Sequence, residues 1–240
     1  MLYTIEQMGE YSRVTDFKIN TVRLRQQVLD GLRSAIVVND LPPGAALRES
    51  ALSESASVSR TVVREALRQL ESEGLVVAHP NRGSVVRALS AAEVQDIYFV
   101  RCHLEAVVVR LFVEKQEDEH YPKLQRALAA LVAAHRRHEP KRIIDTRAQF
   151  YEVLFDVAGS PELASILRMQ HARISRWGVV ALTHPKRRPA RTEEAIRELE
   201  AVLRAIKRRD AAAAERAIIK HVENIGKEVV RLIHRSQDEV

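Results

Sequence analysis

A single cysteine, Cys102, stands in 240 residues. One thiol cannot build an internal disulfide framework, and its scarcity fits a reducing cytoplasm. Aromatic residues make up 5% and there are 8 glycines, while alanine, leucine, arginine and glutamate recur in long runs. That balance favours helices over sheet. No stretch approaches the roughly 18 consecutive apolar residues of a membrane span. The opening MLYTIEQMGEYSR has no basic segment followed by an apolar one, so it does not read as a signal peptide. Catalytic signatures are also missing: there is no glycine-rich phosphate loop, nucleophile motif or paired-carboxylate pattern. An enzyme would have to rest on one histidine, His221, and the expectation is that the chain is not one.

A packed core is within reach, since 46% of the residues are hydrophobic. Net charge is +6, which suggests an anionic partner. Residues 1–88 carry 11 Lys/Arg against 10 Asp/Glu, a net of +1, and residues 89–240 carry 27 against 22, a net of +5. Bulk charge therefore does not single out a nucleic-acid-binding half. Local placement of arginines must do so.

Such a placement lies in VSRTVVREALRQLESEG, Val58 to Gly74. Val63, Ala66, Leu67 and Leu70 recur at helical spacing and predict a buried face. Arg60, Arg64 and Arg68 are four apart and stack along one side. Ser59 is placed to cap the helix, and Gly74 to end it in a left-handed turn. Periodicity alone would allow an ordinary solvated helix. Its neighbours favour more. Residues 1–20 read as a polar arm. A helix is predicted from about Val22 to Val38 and a shorter one from about Glu49 to Ala56, with Ser57-Val58 as the turn. This is a helix-turn-helix pattern. Leu75–Ala78 and Ser84–Arg87 are short β-prone runs around the turn His79-Pro80-Asn81-Arg82-Gly83, which makes a hairpin wing. Arg82 beside Gly83 suits a phosphate or minor-groove contact; alone, it would be a solvated turn arginine.

The segment LPPGAALRESALSESASVSRTVVREALRQLESEGLVVAHPNRGSVV resembles the winged helix of the GntR family of bacterial regulators. The motifs PPG, Leu47-Arg48-Glu49, VSRT, VREAL and NRG fall in order over roughly residues 20–88. Two positions depart from the family pattern: Val62 stands for a usual proline, and Ser57 for a turn glycine, so Ser57 must adopt that geometry at some cost. The resemblance implies DNA contacts at Ser59, Arg60, Thr61, Arg64, Arg82 and Gly83. The chemistry agrees, because arginine can pair two donors with guanine and small hydroxyls suit phosphates at a helix start. Arg68, a turn further on, points to a phosphate or to the Glu71 side.

Residues 90–240 read as an antiparallel bundle of six helices. Ser90-Ala91-Ala92-Glu93 is a capping box for the first, which reaches about Lys115. The others run from about Pro122 to His138, Lys141 to Ala158, Ser160 to Leu182, Thr192 to Arg209, and Asp210 to His234. The run His135-Arg136-Arg137-His138 reads as a solvated helix end. The expected architecture is thus mainly α: a winged helix-turn-helix over 1–89 with a small β-hairpin wing, then an all-helical domain over 90–240. The second part resembles the FCD effector domain of the FadR subfamily, on Arg101 and Glu105, Phe150-Tyr151 with Ala158-Gly159-Ser160, and the RRDAAAAERAIIKH run ending at His221. Many relatives hold a divalent metal there with one aspartate and three histidines. Aligned on that pattern, the places fall on Arg147, Tyr151, Leu199 and His221. Only His221 can serve readily, so no metal or other cofactor is expected.

The resemblance implies a cytoplasmic, ligand-responsive transcription regulator, by family habit a repressor. It would bind a palindromic double-stranded operator as a homodimer and take a small effector, with no membrane partner. Arg101, Arg147, Tyr151 and His221 are the candidate effector residues, and their chemistry suits a carboxylate. Arg147 would bind the anion, Tyr151 and His221 would donate hydrogen bonds, and Arg101 would add a second cation. The plainer alternative makes Arg101–Glu105 a helix ion pair, His221 a satisfied core histidine, and Arg147 the partner of Glu105 or Asp145. Arg173 and Arg176 are weaker candidates. An architectural DNA-binding protein without a ligand remains the rival function; it would need no internal cavity.

Overall fold

The computed structural model describes residues 20–80, 83–184 and 186–237. The N-terminal arm expected over residues 1–20 lies outside them except for Asn20, which opens the first helix. Among the described residues the order is α1 (Asn20–Val37), β1 (Ala46–Leu47), α2 (Glu49–Ala56), α3 (Arg60–Ser72), β2 (Val76–His79), β3 (Gly83–Val86), α4 (Ala91–Lys115), α5 (His120–Arg136), α6 (Pro140–Ala158), α7 (Pro161–Thr183), α8 (Arg191–Lys207) and α9 (Ala211–Gln237).

The predicted stripe of α3 is its buried face: Val63, Ala66, Leu67 and Leu70 are inaccessible or nearly so. They close a small core with Leu29, Leu32 and Ile36 of α1 and with Val76 and Val86 of the wing. Each buried valine, leucine or isoleucine among them stabilises the fold by about 1.5–3 kcal/mol. Arg33 of α1 clamps the far end of α3 through Glu73 at 2.8 Å. Ser57 does take the left-handed conformation, with φ +52, and the Ser53 hydroxyl steadies the turn by donating to the Val58 carbonyl at 2.6 Å. The wing hairpin pairs in register from Val76↔Val86 to His79↔Gly83. The sheet has a third strand that periodicity did not show. Ala46↔Val85 and Leu47↔Ser84 place β1 on the other edge of β3, giving the order β1-β3-β2. Two residues are too few to display a strand's alternation.

All six helices expected in the second part are present. The Ser90–Glu93 capping box forms in both directions, the Asp210 side chain accepts from the Ala213 amide at 2.9 Å, and α6 stops at Gly159 with φ +60. The helix α9 packs along α4 and α8, and α5 along α6. Their core is built on Phe112, Leu124, Phe150, Leu154, Leu167 and Ile218. One helix of this bundle also touches the winged helix: Ala172 on α7 packs against the first core. Arg173 lies so close to Gly74 that a Cβ there would meet its Nε at 3.2 Å. Arg173 is therefore part of the contact between the two parts, while the side chain of Arg176 lies outside the description.

Candidate functional site

The start of α3 is open to solvent. Ser59 caps it, its hydroxyl accepting from the Val62 amide at 3.4 Å. Arg60, Thr61 and Arg64 are exposed on the following turn. Glu49 of α2 holds Arg64 in a two-point pair, Nε–Oε1 3.0 Å and Nη2–Oε2 2.7 Å. The bond to Arg64 keeps the Glu49 carboxyl below its usual range. A pair this exposed adds little stability, so the guanidinium can leave Glu49 for a phosphate or a guanine edge at small loss. Arg68 is also exposed and pairs with Glu65 at 3.0 Å; Glu71, the carboxylate one turn the other way, accepts from the Ala78 amide of the wing instead. Gly83 sits exposed at the start of β3 with φ +68, a conformation that favours glycine. Arg82 lies outside the described residues.

Inside the helical part a cavity of about 90 Å³ opens between α4, α5, α6, α7, α8 and α9. That is room for several waters or one compact organic molecule. Arg101, Arg147, Tyr151 and His221 all line it, and so does Leu199. The structure thus brings together the four candidate effector residues and the four positions that align with the metal pattern implied by the resemblance. A guanidinium and a leucine offer no ligand atom, and among the described residues no three His, Cys, Asp or Glu side chains converge. The residues present do not fit a divalent ion.

Three of the four candidates already have internal partners. Glu105, 1% exposed, gathers side chains from three helices. It accepts from Arg101 Nη2 at 2.7 Å, from the Tyr151 hydroxyl at 2.6 Å and from His171 Nε2 at 2.9 Å. Burial alone would raise its pKa, but the Arg101 charge and the His171 and Tyr151 bonds outweigh it and bring the value to about 2. His171 itself is pushed down to about 4 by burial and by Arg101, so near neutral pH it holds Glu105 as a neutral donor. A second cluster centres on Glu198, which accepts from His221 Nδ1 at 2.9 Å, Arg191 Nη2 at 2.8 Å and Asn224 Nδ2 at 2.8 Å. Because that carboxyl is held near 2 by these bonds against its burial, it accepts, and the His221 proton sits on Nδ1. The ion-pair alternative for Arg101 and the core-histidine alternative for His221 are what the side chains show. The hydroxyl proton of Tyr151 and the Nδ1 proton of His221 are engaged within the protein.

Arg147 is different. Neither Glu105 nor Asp145 pairs with it: Glu105 is surrounded by the partners just named, and Asp145 is exposed. No described carboxylate stands in for them. Its side chain is half-buried and its guanidinium borders the cavity; burial first, and then the Arg101 charge, lower its pKa. It lies flat against α7 at Gly178, where a Cβ would meet Nη1 at 3.0 Å. Two more polar atoms on the cavity wall lack a partner, His135 Nδ1 and Thr192 Oγ1. His135 is therefore not the solvated helix end its basic neighbours suggest. It is half-buried, and burial together with Arg147, Arg187, His221 and Arg191 pushes it down to about 4.

These shifts predict an acid sensitivity with a definite onset. His135 and His171 have folded values near 4, below the ordinary 6.5, so their contribution is complete above pH 6.5 and is lost as pH falls towards 4. Glu105, Glu198 and Glu228, near 2 against 4.5, act in the same direction from pH 4.5 downward. The melting temperature is expected to hold between pH 8 and 7, then fall continuously from about pH 6.5. A melting temperature that stays flat down to pH 4.5 would show the two imidazoles to be solvated.

Known protein families match two stretches of the chain. The family of bacterial regulatory proteins called gntR matches residues 24–86. The FCD domain matches residues 96–224, more than half of the chain. YdhC of Bacillus subtilis, described as an uncharacterised HTH-type transcriptional regulator, is 28% identical over 81% of this chain and 86% of its own. The HTH-type transcriptional repressor RspR of Escherichia coli is 27% identical over 91% of this chain and 94% of its own. The solved structure of E. coli McbR/YncC covers 89% of this chain and 98% of its own with a TM-score of 0.74 at 23% identity, which shows a shared fold. These relatives are transcription regulators and not enzymes. The chain belongs to the GntR family of bacterial regulators: a transcription regulator with a helix-turn-helix DNA-binding domain joined to an FCD domain.

Proposed function

We propose that this regulator binds a two-fold symmetric operator as a homodimer in the cytoplasm, and that a small acidic metabolite in the FCD cavity changes its affinity for that operator. The observation that carries the effector half is Arg147, a half-buried guanidinium that borders a cavity and has no carboxylate partner among the described residues. A buried charge without a partner is costly, and an effector carboxylate or phosphate would supply one. The cavity itself counts against an architectural protein, which has no use for one. Two separate cores, one ending at Val86 and the other beginning at Leu89, support a division into two domains close to the bounds 1–89 and 90–240, with Leu89 itself packed in the second core. The resemblance to the repressor RspR supports repression as the sign of regulation. One winged helix reads only a few base pairs, so a dimer on a palindrome supplies specificity. Phe99, Val100 and Val107 leave an apolar stripe exposed on α4, which a second copy would cover.

Ser59, Arg60, Thr61, Arg64, Arg82 and Gly83 are the proposed DNA contacts, with Arg64 reading a base. Arg64→Ala is expected to weaken operator binding about ten- to a hundredfold and to relax preference at one position in each half-site. Arg82→Ala should weaken operator and scrambled DNA alike, with a shallower salt dependence. Gel-shift titrations at several salt concentrations, with the mass of the complex measured in parallel, test this reading. It fails if the wild-type protein binds scrambled DNA as tightly as any genomic fragment, or binds as a monomer.

A further inference from the structure

Beside the buried cavity lies a second, more open hollow of about 440 Å³. His135, Leu182, Arg187 and Thr192 line both, so these four side chains form the wall between them. The outer hollow is also bordered by Arg136 and His138, with Glu193 as its carboxylate. Two facts about the shared wall bear on what passes it. First, its buried polar atoms His135 Nδ1 and Thr192 Oγ1 have no hydrogen-bond partner.

Second, the charges around the wall do not balance. Three guanidinium groups, Arg147, Arg187 and Arg191, and the imidazole of His221 act on His135. Of the three guanidinium groups, Arg191 is matched by Glu198, which also accepts from His221. Glu228, the carboxylate among the cavity's lining residues, is taken by Arg188 and Arg231. Arg147 and Arg187 remain, and neither pairs with a described carboxylate. Arg187 only donates to the Leu182 carbonyl, at 3.2 Å. One uncompensated guanidinium lies deep in the inner cavity and the other stands at the wall. A ligand with a single negative charge would match only one of them.

We propose that the effector is an extended dianion. One anionic group sits on Arg147 in the inner cavity and the second on Arg187 at the outer hollow, and oxygens of these anionic groups that the arginines leave free bond to His135 and Thr192 at the wall. The class is that of short dicarboxylates, or carboxylates bearing a phosphate at the far end. This rests on the proposal that the FCD cavity takes an acidic effector. Among the described residues, His135, Thr192 and Arg187 would then select for length and for the second charge, while Arg147 supplies the common anchor.

The test is calorimetric titration of the full-length protein with three series of matched length: α,ω-dicarboxylates from malonate to adipate, the corresponding monocarboxylates, and phosphonocarboxylates. At least one dianion is expected to bind ten times or more tighter than the monocarboxylate of the same length. Comparing the dicarboxylate and phosphonocarboxylate series assigns the outer group. Arg187→Met should remove that gap and leave monocarboxylate binding unchanged, while Arg187→Lys should restore part of it. Thr192→Val should weaken the best dianion several-fold. Operator binding by each variant confirms that it is folded. If monocarboxylates bind as tightly as dianions, or the gap survives Arg187→Met, this inference is overturned while the acidic-effector reading stands. If no member of any series binds, both fall together.

Discussion

Replacing Glu105 by alanine is expected to destabilise the helical domain by about 3–5 kcal/mol, the range seen when one partner of a buried ion pair is removed. The reason is the number of groups that depend on it. Arg101 and Glu105 are both almost wholly buried, at 4% and 1% exposure. Without the carboxylate, the Arg101 charge, the Tyr151 hydroxyl and the His171 N–H would lose their common acceptor in a dry site. Glu105→Gln should cost less, because the amide oxygen can still accept, though it carries no charge. Urea titrations followed by helical circular dichroism measure both. A loss under about 1 kcal/mol for the alanine variant would mean that water reaches the cluster and that its members do not depend on one another.

This cluster shows which parts of the site were legible in the sequence. The Arg101–Glu105 pair could be read directly, because i, i+4 neighbours on a helix must meet. Tyr151 and His171 could not, since they reach Glu105 across 46 and 66 residues through the packing of α6 and α7 on α4. The helices were legible for a similar reason: their apolar stripes and caps are local, so α2 falls where its pattern put it and Ser90 and Asp210 cap as expected. The strand β1 has no local pattern and exists only because β3 offers it an edge. His135 was hidden by its charged neighbours, although a signal was present. It continues the spacing of Leu124, Leu128 and Leu131, all buried on α5, and a histidine on that stripe faces inward whatever surrounds it in sequence. Thr192 follows a loop, and nothing local marks which wall it joins.

The helix α7 touches both the cavity and the winged helix. Gly178 on this helix lies against the Arg147 guanidinium, and Ala172 and Arg173 lie against the winged helix. The cavity side and the DNA-binding side of α7 are therefore less than two turns apart, about 9 Å at 1.5 Å per residue. A ligand that draws the Arg147 side chain towards itself changes what packs on α7 at Gly178. By linkage, an effector that weakens operator binding must bind the operator complex more weakly than the free protein, by the same factor.

Arg147→Met is expected to have the opposite sign from Glu105→Ala on stability and to abolish the response to ligand. Methionine keeps most of the length and removes a charge that has no described counter-ion and is disfavoured by burial and by Arg101. The unliganded variant should therefore be more stable than the wild type, by about 1–3 kcal/mol, a gain in line with replacing buried ionic groups by apolar ones of similar volume. Its melting temperature should rise by several degrees. With ligand the order reverses. An effector present at a hundred times its Kd should stabilise the wild type by about 2.7 kcal/mol and the variant hardly at all, because the anchoring cation is gone. Operator binding without ligand should be retained, since Arg147 lies on α6 within the helical bundle and away from the exposed start of α3. Melting curves with and without ligand, together with gel shifts under the same conditions, give all three readouts. A variant that unfolds or melts lower than the wild type would make Arg147 a structural residue with a partner of its own. A variant that still responds would move the effector elsewhere in the bundle. Gain of stability together with loss of response is the result that only a charge held ready for a ligand can produce.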